Sequence, residues 1–212
     1  MSNNQQLAKE AEKGKTLKEK VDILMRIKGS MRGELLRNNF IYLKEKEGEG
    51  AVKKMEDRLK ELGYPLIFKD IKTYGWYKDP FCAVFMLIFK EQFNWNEEDI
   101  VNLGRFSPKY SFIMKLAFKY LISAKIAFWA ASKLWHKNVD YGEIESYEIN
   151  EANKYLIFRL KEYELHPLVC LYIKGYFMGL FEYIVGKNST LAEETKCTFK
   201  GDPYHEYKIS WK

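Results

Sequence analysis

The 212 residues predict an α+β fold: N-terminal helices, then an antiparallel β-sheet meander with one inserted helix. Apolar residues recur at helical spacing as far as residue 136, and from residue 143 segments of period-two character surround one long apolar stretch. With 47% hydrophobic and 30% charged residues, the chain buries a real core and does not read as disordered.

Residues 5–27 read as one charged helix with a thin apolar stripe of Leu7, Leu17, Val21, Leu24 and Met25. So sparse a stripe needs something to dock on, either the body or a partner. Residues 1–28 are therefore set apart as a helical arm, 29–212 as the main domain, with "KGSMRG" as punctuation. Helical spacing returns from Arg32 to about Lys46 and from Gly50 to about Leu62, with Gly63 as a C-cap and Pro65 beyond. "YPLIF" reads as a short extended piece and "TYGWYKDP" as a loop. Asp79 suits the N-cap and Pro80 the first position of a buried helix, "FCAVFMLIFKEQF". Further helices are expected at about 96–104, 108–118 and 121–136, Ser107-Pro108 opening one of them. "EIESYEI" and "KYLIFRLKEY" form a hairpin around "NEAN". "HPLVCLYIKGYFMGLFEYIVG" is helical and closed by Gly186, and "TLAEETKCTFKG" and "YHEYKISW" are strands around the Gly201-Asp202-Pro203 turn.

The net charge of +6 is spread among nearly as many carboxylates, without the Arg- or Lys-rich run expected of a nucleic-acid partner. No continuous apolar run reaches the ~18 residues of a membrane span, and the polar opening lacks a signal sequence. A cytoplasmic protein is expected, with Cys82, Cys170 and Cys197 as thiols. Catalytic signatures are missing: no nucleophile elbow, Walker loop, H-E-x-x-H, or G-x-G-x-x-G after a strand. The chain does not read as an enzyme.

Cys197 and His205 stand eight positions apart across the last turn, with Glu194 three positions before the cysteine. Thiolate and imidazole are the donors a tetrahedral Zn²⁺ prefers, and strands joined by a short loop lie ~5 Å apart. Cys170 would complete a Cys₂-His-Glu set were its helix to pack on the hairpin. A buried cysteine, an exposed histidine and a solvated glutamate suit the same spacing.

The order of Cys170, a helix with Gly175 and Gly179, then E-x-x-C and G-D-P-x-H resembles the four-vinyl-reductase, or hydrocarbon-binding, domain. The likeness spans roughly residues 28–212, with its specific motifs in about the last 46. It implies the ligand-binding fold shared with haem nitric-oxide-binding domains and vesicle-tethering (TRAPP) subunits. It also implies a structural Zn²⁺ on Cys170, Glu194, Cys197 and His205, the histidine standing where aromatic-sensing members have cysteine. The resemblance further implies an apolar ligand cavity, for which the candidates are Phe85, Phe89, Phe112, Phe128, Trp129 and Trp135, with Tyr155, Tyr172 and Phe177. Tyr172 and Trp129 are candidate donors to a polar group on the ligand. For haem the candidate ligands would be His136 or His166, but the Y-x-S-x-R signature is missing.

The expectation is a sensor or regulatory domain for a small hydrophobic molecule, acting as a homodimer or through a protein partner on the N-terminal helix. The alternatives are an accessory protein or enzyme for a tetrapyrrole-like substrate, and a scaffold with a vestigial pocket.

Overall fold

The structure, a computed structural model, describes residues 3–111, 123–186 and 189–212. The single helix expected over 5–27 is two, α1 (Asn3–Glu12) and α2 (Leu17–Leu24). After a break at Gly14 and Lys15, α2 restarts on a capping box. Thr16 Oγ1 accepts from the Glu19 N–H, and the Glu19 carboxylate accepts from the Thr16 N–H. Leu7, Ala8, Ala11, Val21 and Leu24 are buried, so the arm spends its apolar stripe on the chain's own body, α2 touching the fifth helix. That leaves little of the stripe for the partner contact expected there.

Two short strands replace the expected punctuation and loop: β1 (Ser30–Arg32) pairs antiparallel with β2 (Trp76–Lys78). Three residues are too few for alternation to show. Helices α3 (Gly33–Glu47) and α4 (Glu49–Glu61) follow the predicted spacing, and Gly63 takes the positive φ of a C-cap. "YPLIF" forms no strand and leads into a 3₁₀ turn at Phe68–Asp70.

Helix α5 (Phe81–Phe93) starts behind Pro80 with no side-chain cap. The expected Asp79 cap is not made; its carboxylate is buried instead, 1% exposed. Helix α6 (Glu97–Tyr110) runs through Ser107-Pro108 rather than breaking there. Tertiary bonds hold Ser107 in the helix: Asn38 Nδ2 donates to its carbonyl and the Tyr172 hydroxyl to its Oγ. Proline in a last turn costs one backbone bond, which this support offsets. The rest of the helix expected over 108–118, from residue 112, lies outside the described residues.

Helix α7 (Ala124–Asn138) is capped by Ser123. The hairpin β3 (Glu143–Asn150) and β4 (Tyr155–Lys161), helix α8 (Pro167–Val185), and strands β5 (Thr190–Lys196) and β6 (His205–Trp211) complete the fold. The four long strands form one antiparallel sheet in the order β3-β4-β6-β5. Its inner face buries Leu156, Phe158, Leu160, Ala192, Tyr207 and Ile209, and α7 and α8 lie against the sheet.

The closest helix contact is between α6 and α8, and glycine makes it. A Cβ added at Gly175 would lie 1.9 Å from the Val101 carbonyl oxygen, and one at Gly179 2.1 Å from that of Arg105. From the other side, a Cβ at Gly104 would meet the Tyr172 carbonyl oxygen at 2.0 Å. By length and composition alone α8, 19 residues long, could cross a membrane, contrary to the reading of the apolar runs. More than half of that stretch is buried between α6 and the sheet, as in the core helix of a compact fold.

Gly175→Ala should destabilise the chain by about 1–3 kcal/mol in chemical denaturation, because backbone rather than a movable side chain blocks the methyl group. Gly50→Ala, with open space around it on α4, should be neutral or slightly stabilising.

Candidate functional site

A cavity lies between α7, α8, the inner face of the sheet, and the starts of α3 and α5. Ala127, Ala131, Leu134 and Trp135 line it from α7, and Val169, Tyr172, Ile173, Tyr176, Phe177 and Leu180 from α8. Ile144 and Phe158 form its sheet wall. About 90 Å³ is open to the centre of a water-sized sphere. A single water needs ~10–15 Å³ on that measure, so there is room for roughly six to nine non-hydrogen atoms.

Of the aromatic candidates, Tyr172, Phe177 and Trp135 stand on this wall. The Tyr172 hydroxyl is already committed to Ser107 Oγ at 2.9 Å, and Trp135 Nε1 to the carbonyls of Tyr141 and Gly142. Phe128 sits behind the wall, stacked on Phe158. Phe85 and Phe89 are wholly buried elsewhere, against Phe40 and Trp95. Trp129 is 67% exposed, which removes it as a donor into the cavity. Tyr155 bonds Glu148, with Lys208 over its ring, away from the cavity. Phe112 lies outside the described residues.

Sequence reasoning missed Asp79. It stands on the cavity wall next to Cys82, and neither of its carboxylate oxygens has a hydrogen-bond partner. The Tyr141 hydroxyl, also buried, has none either. Burial raises the Asp79 carboxyl to about 7. The Tyr163 and Tyr141 phenols lie close enough as hydrogen-bond donors to oppose the rise, although neither reaches full bonding geometry with the carboxylate, and the Asp140 charge adds to it. In the sequence, an Asp before a Pro carries the stronger signal of a helix cap, which hid this role.

At the opposite end of α8 from Gly186, the four metal candidates converge. Cys170 stands in the first turn of α8, whose cap is His166 Nδ1 accepting from the Leu168 N–H. Glu194 is on β5 beside a bulge, the register slipping between Glu194 and Lys196. Cys197 follows β5, its N–H donating to Asp202 Oδ2, and His205 opens β6. All four ligand atoms lie within 4.8 Å of one another. The Sγ atoms of Cys170 and Cys197 are 4.0 Å apart, Cys170 Sγ and His205 Nδ1 3.6 Å, and His205 Nδ1 and Glu194 Oε1 3.1 Å. Ordinary Zn–S, Zn–N and Zn–O lengths in a tetrahedron give edges of about 3.8, 3.6 and 3.4 Å for those pairs, so the donor set suits zinc. His205 Nε2 pairs with Thr198 Oγ1 at 2.9 Å, which leaves Nδ1 facing the other three. The Cys170 thiol, against the effect of burial, lowers Cys197 to about 5. Burial works against an imidazolium at His205, but Cys197 and Glu194 outweigh it and raise the histidine to about 9. His205 is 2% exposed, not the surface residue its spacing also allowed.

No family model and no curated protein matches this sequence. Solved structures do match its fold. An H-NOX protein from S. oneidensis in the Fe(II)NO ligation state aligns with a TM-score of 0.61 at 11% identity, over 86% of this chain and 99% of that one. An oxygen-binding H-NOX domain related to soluble guanylate cyclases aligns with a TM-score of 0.59 at 13% identity, over 86% and 95%. At such identities the likeness shows the fold alone. The α+β class and an H-NOX-like architecture are thereby established.

The cavity walls do not fit haem. The chain has three histidines, and none lines the cavity. His136 is exposed on α7, His166 caps α8, and His205 belongs to the cluster. His166 is held neutral: burial, with Lys20 and Lys90 nearby, pushes it down to about 4. The thiol of Cys82 and the phenols of Tyr163 and Tyr172 are all pushed up by burial, so none offers a ready anionic ligand. Among the described residues the wall has no lysine, arginine or histidine to pair with a propionate.

Asp79 gives a testable pH dependence. A carboxyl raised in the folded state stays protonated while the unfolded one ionises, so stability is lost as pH rises from about 4 to about 7. The full cost, roughly 4 kcal/mol, applies above that window. Asp79→Asn should therefore stabilise the protein at pH 8 and little at pH 4 in urea unfolding.

Proposed function

We propose that this chain is a ligand-binding sensor domain whose cavity takes a small hydrophobic molecule, with a structural Zn²⁺ joining the last hairpin to α8. The apolar cavity between α7, α8 and the sheet carries the reading. The fold supports it: the matching structures include an oxygen-binding H-NOX domain and one in a nitric-oxide-ligated state. The resemblance to hydrocarbon-binding domains points the same way, and the haem-free chemistry of the walls favours an apolar guest over a tetrapyrrole.

Cys170, Glu194, Cys197 and His205 would hold the metal, and four protein ligands leave no open position for a reacting water. Such a site contributes to folding and not to catalysis. Thr198 would orient the imidazole and Asp202 the loop that presents Cys197. Through α8 the metal end and the cavity share one rigid element, so a guest that shifts α8 would be felt at the hairpin.

Purified protein should carry one Zn per chain by elemental analysis. Cys197→Ser should lose the metal and lower the melting temperature, and Thr198→Val should weaken zinc affinity roughly 10–100-fold. Metal well below one per chain, or a Cys197→Ser variant with unchanged content and melting, sinks the zinc assignment. Native mass spectrometry of protein from cells should show a co-purified adduct of small mass, and its loss on exchange into an organic-washed buffer should lower the melting temperature.

A further inference from the structure

We propose that the cavity's guest is a small apolar amine, one ring or a short hydrocarbon bearing a protonated nitrogen that donates to the Asp79 carboxylate. This rests on the reading of the cavity as a ligand site and specifies its chemistry.

Three observations converge on it. Asp79 is 1% exposed on an otherwise mostly apolar wall, with both carboxylate oxygens unpartnered. Buried polar atoms are nearly always bonded, so a pair left open and facing a cavity marks where a guest's donor belongs. Second, the groups that act on Asp79 supply no positive charge. They are the Tyr163 and Tyr141 phenols and the like-charged Asp140. Cys82 on α5 and Tyr172 on α8, both neutral, complete the surroundings. A carboxylate there can ionise comfortably only when the guest brings the cation. Third, Tyr163, Trp135 and Tyr172 present rings around the same space, and aromatic faces attract ammonium groups. The room for roughly six to nine non-hydrogen atoms suits a single ring with one substituent. A neutral hydroxyl would satisfy one oxygen and leave the charge unbalanced. The unpartnered Tyr141 hydroxyl is near enough to act on the same carboxylate and offers a second polar contact.

Toluene, benzyl alcohol and benzylamine have the same shape and differ in one terminal group, so they separate the guest's donor and charge from its bulk. With the full chain at pH 8, ligand-detected NMR titration should give benzylamine a Kd at least about tenfold lower than toluene or benzyl alcohol. Asp79→Asn should abolish that preference, with a cooperative urea unfolding transition as its folding control. The wild-type preference should shrink at pH 5.5, where Asp79 holds its own proton. Equal binding of the three, or a preference that survives in Asp79→Asn, overturns the amine and leaves the cavity reading intact. Binding of none overturns both. Should Asp79→Asn fail to fold, the wild-type pH series decides: a preference that does not fall with pH overturns the proposal.

Discussion

The backbone contact between α6 and α8 is the constraint on which the rest of the molecule depends. Gly104, Gly175 and Gly179 let the two helices meet with no side chain between them. The axis of α8 is then set on one side by α6 and on the other by the sheet. Its remaining faces have fixed duties. The first turn delivers Cys170 to the last hairpin, and the middle turns deliver Tyr172, Ile173 and Phe177 to the cavity. A helix this apolar has to be largely covered, and more than half of it is buried.

The two polar features of the interior contrast sharply. In the Cys170–Glu194–Cys197–His205 cluster the buried groups meet one another within bonding distance, and Thr198 holds the outward nitrogen of the imidazole. Their desolvation is largely offset among themselves. Asp79 has only the Tyr163 and Tyr141 phenols nearby, and burial, the largest influence on it, raises its carboxyl to about 7. One arrangement is closed and suits a staple; the other is open and faces a space. Fold likeness could not have distinguished them. The H-NOX architecture is shared, yet no histidine or basic residue stands on the described cavity wall of this chain. What a site binds follows from its own side chains.

Most of the architecture was legible in the sequence because it rests on local periodicity. The long helices and the four long strands come within a few residues of their predicted spans, and the Gly201-Asp202-Pro203 turn lies where its residues required. The failures share a cause. The break at Gly14 was masked by a stripe that continues across it. The β1–β2 pair is too short to alternate, and Ser107-Pro108 remains helical only because Asn38 and Tyr172 support it. Aromatic candidates chosen by element alone scattered to core, surface and wall, since the sequence says that a ring is present but not which way its helix is turned.

By itself the sequence determined the fold class, the position of the core helix, and the ligand types and spacing of the C-terminal cluster. These depend on hydrophobic period and on donor chemistry, both local properties. Only the tertiary structure decided that Cys170 reaches the hairpin, through a glycine contact between two helices distant in sequence and a bulge beside Glu194. It alone turned Asp79 away from the helix cap that its neighbours advertised and into the cavity. A side chain's burial depends on how distant elements close around it, and no local pattern carries that information.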